Sequence, residues 1–113
     1  MSDQIVLHGL LQGGWKDCAF EPFRDGVEIC HLVQGEPAVA LLRYAPGASV
    51  PRHLHQGLET IVVLDGAQED EAGRYPKGSV VLNPEGFVHS VASEEGCVIL
   101  IQWDRPVKIL DED

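Results

Sequence analysis

Apolar positions along this chain fall in short runs broken by glycine and proline, and no stretch sustains a helical period. From Val27 the runs read VEICHLV, then VALLRY after the turn QGEPA, then a break at Pro46-Gly47. TIVVL (60–64), 79–83, 87–91 and CVILIQW (97–103) follow. Aliphatic and β-branched runs of this length between turn residues predict strands, so the chain reads as all-β. TIVVL is apolar on both faces, whereas a half-exposed strand alternates. It therefore predicts cover on both sides: a barrel interior on one, and a second sheet, an N-terminal strand or another subunit on the other. Asp65-Gly66 is expected to turn the chain. AQEDEAGRY, turning at Gly73, is expected as a solvated loop or edge strand. Its consecutive acids Glu69, Asp70 and Glu71 cannot all face one ion.

The pattern implies one domain over 1–113: an N-terminal arm at 1–26, a barrel at 27–105 and a C-terminal tail at 106–113 that pairs only in part. Trp15, with Phe20 or Phe23, is expected to cover an open end of the barrel. Several short strands with Gly/Pro turns fit a small jelly roll, a double-stranded β-helix.

Charge narrows the partners. Lys and Arg number 8 against 18 Asp and Glu, a formal net charge of −10, with no basic run. That argues against nucleic acid, whose binders neutralise phosphates with Lys and Arg, and against an anionic membrane surface. No apolar run approaches membrane-spanning length and no secretory signal opens the chain, so a cytoplasmic protein is expected. Cys18, Cys30 and Cys97 form no C-x-x-C pair and read as small buried hydrophobes in a reducing compartment, with Cys97 the one that could approach the site. His8 and His31 lack neighbours at ligand spacing. His8 reads as a surface histidine, His31 as a core-edge one with a hydrogen-bond partner.

Chemistry gathers in two stretches. In GASVPRHLHQGLETIVVLDG (47–66), an extended or gently bent segment puts His53, His55 and Glu59 on one face. In GSVVLNPEGFVHSVAS (78–93), the turn Asn83-Pro84-Glu85-Gly86 re-aims the backbone so that His89 can join them. Three imidazoles and a carboxylate suit one divalent transition metal, zinc or iron first, with manganese, nickel and cobalt also open. Tyr44, Gln56, Gln102 and Trp103 are candidates for the pocket wall.

These two stretches resemble the paired motifs of the cupins. Gly47, His53, His55, Glu59 and Gly66 match the first motif, and Gly78, Pro84, Gly86 and His89 the second, where Ser93 stands in place of the usual Asn. Within the cupins the chain is most similar to the ChrR-like subgroup, through Trp15, DEAGRYPKGS between the motifs and SEEGCVILIQW after them. The resemblance implies a cupin barrel with His53, His55, Glu59 and His89 as metal ligands. It leaves three roles open: a mononuclear non-haem metal dioxygenase acting on a small oxygenated compound such as a β-dicarbonyl; a regulatory or sensor cupin with a structural zinc and a protein partner; and a cupin that binds a small molecule without turnover. Cupin habit and TIVVL together suggest a homodimer.

Overall fold

The computed structural model describes residues 3–110, so the outermost residues of the expected arm and tail lie outside it. Almost all regular structure is strand. Two short 3-10 turns, Leu10–Gln12 and Gly14–Asp17, come first, and β1 (Glu21–Arg24) lies inside the stretch expected as an arm. β2 (Val27–Val33), β3 (Ala38–Tyr44) and β4 (Ala48–Leu54) follow, then the long β5 (Glu59–Asp70). After it come β6 (Gly73–Pro76), β7 (Val80–Asn83), β8 (Val88–Ser93), β9 (Cys97–Trp103) and β10 (Lys108–Ile109), the last paired with β4. The described part of the tail thus pairs over Lys108–Ile109.

The strands curl into a jelly roll because β5 serves two leaves. Its first half lies between β9 and β7, in the leaf that runs on through β3 and β2 to β1. Its second half pairs with β6 and β8, in the leaf that continues to β4. The expected turn at Asp65-Gly66 is instead a bulge within one strand, where the register with β9 slips between Val63 and Asp65. Gly66 makes the bend: its φ is +68°, and a Cβ there would overlap the carbonyl oxygen of Gly96. Any larger residue would be both strained and blocked at the point where one leaf becomes the other.

Alternation assigns the two faces. Ile29, Ala40, Leu42, Ile61, Val63 and Ile99 point inward and form the main core with Tyr44 and Val91. Leu41, Leu64 and Val98 point outward yet stay buried, because Leu10, Trp15 and Phe20 pack over them. Trp15 and Phe20 therefore cover the outer face of the sheet, not an open barrel end. Phe23 alone fits that expectation, lining the interior cavity beside Trp103 at a ring separation of 6.5 Å. The Arg43 guanidinium, 4.1 Å over the Phe20 ring, helps pin the N-terminal segment in place. The second apolar face of TIVVL is thus met by the chain's own N-terminal residues. Cys18 and Cys30, far apart in sequence, are brought into contact beneath this cover, and burial leads in raising the Cys18 thiol pKa.

Candidate metal centre

Strand register builds the site. β4 and β8 run antiparallel with Val50 opposite Val91, then His53 opposite His89, so β4 has one residue too many between the two pairs. That bulge, at Pro51-Arg52, lets Val50 and His53 both face inward although an odd spacing would put them on opposite faces. It also turns the Pro51 carbonyl to accept from His53 Nδ1 at 2.8 Å. Past the end of β4 the ladder persists: the His55 N–H donates to Phe87 O, and the Gly86 N–H donates to His55 O. The Pro84 turn closes with Phe87 N–H bonded to Pro84 O, and Gly86 takes φ +91° there, as a left-handed turn position requires. His55 is thereby held two residues from His53, beside the His53–His89 pair.

The outcome is a triangle. Ring centroids stand 5.1 Å apart for His53 and His55, 4.8 Å for His53 and His89, and 4.9 Å for His55 and His89. A ligand nitrogen from each lies within 4.8 Å of the other two, and all three residues are buried. Glu59 does not reach this point by sharing a strand with the histidines. The chain leaves β4 after Leu54 and enters the other leaf before Glu59, which stands opposite Asn83 and Trp103. Its carboxylate adjoins the triangle through His55, with Oε1 at 3.1 Å from Nε2. The same oxygen accepts from Asn83 Nδ2 at 2.9 Å.

Hydrogen-bond partners assign the tautomers. His53 Nδ1 meets Pro51 O at 2.8 Å, His55 Nδ1 meets Phe87 O at 2.7 Å, and His89 Nδ1 meets Asp70 Oδ2 at 2.9 Å. Carbonyl and carboxylate oxygens only accept, so each Nδ1 carries a proton and a ring that is neutral has its lone pair at Nε2, the nitrogen that on His55 faces the Glu59 carboxylate. Among the described residues, His89 Nε2 is buried with no hydrogen-bond partner. A buried acceptor without a partner is costly unless an electron-pair acceptor joins it. Three Nδ1-anchored imidazoles are what a histidine-bound transition ion requires, so these residues could hold one.

Ionisation agrees with the geometry. Burial opposes a charged His55, yet the hydrogen bonds to Glu59 and to the Phe87 carbonyl outweigh it and hold the imidazole above its ordinary range. Burial likewise opposes a charged Glu59, but His55 and the Asn83 amide hold the carboxyl below the usual carboxylate range. Without an ion the pair satisfies itself as imidazolium and carboxylate; with one, both can turn lone pairs on it. Burial is the chief influence on His53 and pushes its pKa down, keeping it neutral.

Two residues at the site escaped the sequence reading. Asp70, expected in a solvated acidic run, has a side chain only 4% exposed and accepts from His89, Tyr75 and the N–H groups of Ala72 and Gly73. Burial opposes its ionisation, but those donors hold the carboxyl low. Asn83, read as a turn residue, is buried against Glu59. Alternation could have flagged Asp70: Gln68 and Asp70 share one face of β5, while Glu69 and Glu71 take the other.

The triangle borders a cavity of about 430 Å³. His53, His89 and Glu59 lie in its wall with Tyr44 and Gln68, and Ile29, Leu42, Ile61, Val91 and Ile101 supply apolar surface. Of the four pocket candidates, Tyr44 and Trp103 line it. Gln56 and Gln102 instead donate to Pro106 O and Asp104 Oδ1. His31 reaches the wall too, but its side chain is 38% exposed and its Nε2 stands 3.6 Å from Glu21 Oε1, beyond hydrogen-bond reach, so it is a surface histidine near an acid and not the core-edge one expected. Cys97 packs in the core, and burial pushes its thiol up to about 11, so it is an inert hydrophobe.

A curled antiparallel jelly roll carrying this histidine set on its inner wall defines the class: the protein is a cupin. Residues 13–105 match the family model described as the ChrR cupin-like domain, and the chain belongs to that family. The anti-sigma-E factor ChrR of Cereibacter sphaeroides is 33% identical over 96 residues, which cover 82% of this chain and 45% of that protein. The chain therefore spans less than half the length of that relative. The structure of Rhodobacter sphaeroides SigE in complex with the anti-sigma ChrR matches with a TM-score of 0.71 at 32% identity, over 79% of this chain and 50% of the other. An acetylacetone dioxygenase from Acinetobacter johnsonii shares the fold, with a TM-score of 0.79 at 14% identity over 99% of this chain and 80% of that one. Among the described residues no helix is long and apolar enough to cross a membrane.

Proposed function

We propose that this chain is a metal-binding cupin whose cavity takes a small oxygenated molecule beside the ion, with oxidative cleavage of a compound such as a β-dicarbonyl as its reaction class. One observation carries the reading: three buried imidazoles, each with Nδ1 tied to an acceptor, bring ring nitrogens within 4.8 Å of one another at the wall of a largely apolar cavity. A divalent transition ion, zinc or iron first, with manganese, nickel or cobalt as other candidates, supplies Lewis-acid polarisation of an oxygen donor when bound. His53, His55 and His89 would hold it, and Glu59 would be the fourth donor, either kept or withdrawn to the Asn83 amide so that a ligand oxygen can take its place. The aliphatic wall accommodates the ligand's carbon body and keeps water out. Oxygen uptake by iron-loaded protein across a panel of β-diketones tests the enzymatic part. Uptake no greater than that of a His53→Ala control removes it, leaving a cupin that binds without turnover.

The 33% identity to an anti-sigma-E factor favours a second reading, a regulatory or sensor cupin with a structural zinc and a protein partner. Elemental analysis of protein purified without added metal separates the two: zinc with four protein ligands supports the regulatory reading, iron with open positions supports the enzyme. Capture of a sigma factor, with and without oxidant, tests the partner directly, and none recovered in either state ends that reading.

The homodimer stays part of the proposal on a changed basis. The outer face of TIVVL is covered by Trp15 and Phe20, whereas Val80 and Leu82 on β7 are each 61% exposed at a sheet edge. Light scattering at twice 12.3 kDa supports a dimer, and the monomer mass removes it. A cytoplasmic location is proposed from the odd number of cysteines and the lack of a C-x-x-C pair, and is checked by fractionation.

A further inference from the structure

The three imidazoles are not backed alike. His53 and His55 donate from Nδ1 to backbone carbonyls, which no side-chain substitution can remove. His89 donates to a side-chain carboxylate, Asp70 Oδ2, at 2.9 Å, and that contact is buried, both side chains being 4% exposed. Asp70 is itself fixed on its other oxygen, where Oδ1 accepts from Tyr75 O–H at 2.6 Å, Ala72 N–H at 2.9 Å and Gly73 N–H at 3.2 Å. The position follows from the ladder: the end of β5 pairs with β8, Asp70 opposite Val91, two residues from His89. The next residue, Glu71, points the other way and accepts from the N–H and hydroxyl of Ser90, which clamps the hairpin against the histidine strand from outside.

We propose that Asp70 is a positioning residue for the ion: it locks His89 in its Nδ1–H tautomer, aims Nε2 at the triangle and raises its donor strength, while the Tyr75 hydroxyl moderates that strength by drawing on the same carboxylate. The inference rests on the reading that His53, His55 and His89 hold a metal. A negative acceptor behind an imidazole makes the ring a better electron-pair donor than a neutral carbonyl does, and such partners are worth roughly 10–100-fold in metal affinity. Asp70 and Tyr75 therefore act on the ion with opposite signs. Removing the charge behind His89 weakens binding. Removing the hydroxyl leaves the whole carboxylate charge to the histidine and does not weaken it.

The test measures zinc affinity of the full chain by competition with a chromophoric chelator, for the wild type, Asp70→Asn and Tyr75→Phe. Melting curves of the metal-free forms identify any variant that has lost its fold. The expected result is binding weakened about 10–100-fold in Asp70→Asn and equal or tighter in Tyr75→Phe. Asp70→Asn at wild-type affinity overturns the proposal. So does Tyr75→Phe weakened as far as Asp70→Asn, because both would then merely shape the hairpin. Nitrogen-15 imidazole shifts of the metal-free wild type give a readout that needs no ion: Nδ1–H at His89 is expected, and Nε2–H overturns the assignment. Failure of the wild type to take up zinc, with His89 still Nδ1–H, removes the metal reading and leaves the tautomer lock standing.

Discussion

His53 and His89 stand directly opposite one another across β4 and β8, ring centroids 4.8 Å apart, on strands whose register slips by one residue just before they meet. Among the described residues, the buried His89 Nε2 has no hydrogen-bond partner there. An ion between them would bind the folded state alone and add to its stability. Chelation should accordingly lower the melting temperature of the native protein, by an amount equivalent to about 3 kcal/mol where free metal stands near one hundred times its dissociation constant. His55→Ala and His89→Ala should each cut metal occupancy and abolish that shift. Superimposable melting curves with and without chelator would contradict this.

Protons would compete with an ion at His55. Its pKa is raised in the fold by Glu59 and the Phe87 carbonyl despite burial, so the ring takes up a proton at a higher pH than a free imidazole and must lose it to donate from Nε2. Metal uptake should therefore weaken as pH falls through that raised value, and Glu59→Gln should move the loss to lower pH. A titration of metal occupancy against pH for both proteins measures it.

The metal-free protein should show the converse dependence. The raised pKa of His55 contributes stability that is present below its unfolded value and lost as pH rises through its folded one. The lowered pKa of Glu59 contributes stability that is present above its unfolded value and lost as pH falls through its folded one. Between the two folded values the pair is intact, so the chelated protein should melt highest in that window. Glu59→Gln should flatten the curve on both sides. Melting temperature against pH, in chelator throughout, checks it.

Gly66 tests the bend that joins the leaves. At φ +68° with the Gly96 carbonyl against it, Gly66→Ala meets both backbone strain and overlap. A loss of about 2 kcal/mol or more is expected by denaturant titration. A loss no larger than that of an ordinary surface substitution would show the bend to be tolerant.

Cover on the outer face gives a contrast. Leu64 is 4% exposed beneath the N-terminal segment, whereas Val80 on β7 is 61% exposed. Leu64→Ala should cost about 2–5 kcal/mol and, in protein diluted to the monomer, Val80→Thr under about 0.5 kcal/mol in the same assay. Near-equal losses would mean that the segment does not pack as described.

The chain's own residue order determined the strand-rich character, the turn at Gly86 and one just before Gly73, and the candidacy of His53, His55, Glu59 and His89, because alternation, turn chemistry and ligand spacing are written over a few neighbouring positions. Tertiary structure decided the rest. It bridged β4 with a bulge so that His53 faces His89, brought Glu59 in from the opposite leaf, and bent β5 at Gly66 where a turn had been expected. It also drew Asp70 out of an acidic run to stand behind His89, set Asn83 against Glu59, and laid Trp15 over the outer sheet. The physical reason is that alternation says which side chains share a face of one strand and is silent about which strand lies across from it. That choice belongs to long-range register and to the burial of both faces together, and here it sets what each imidazole has behind it.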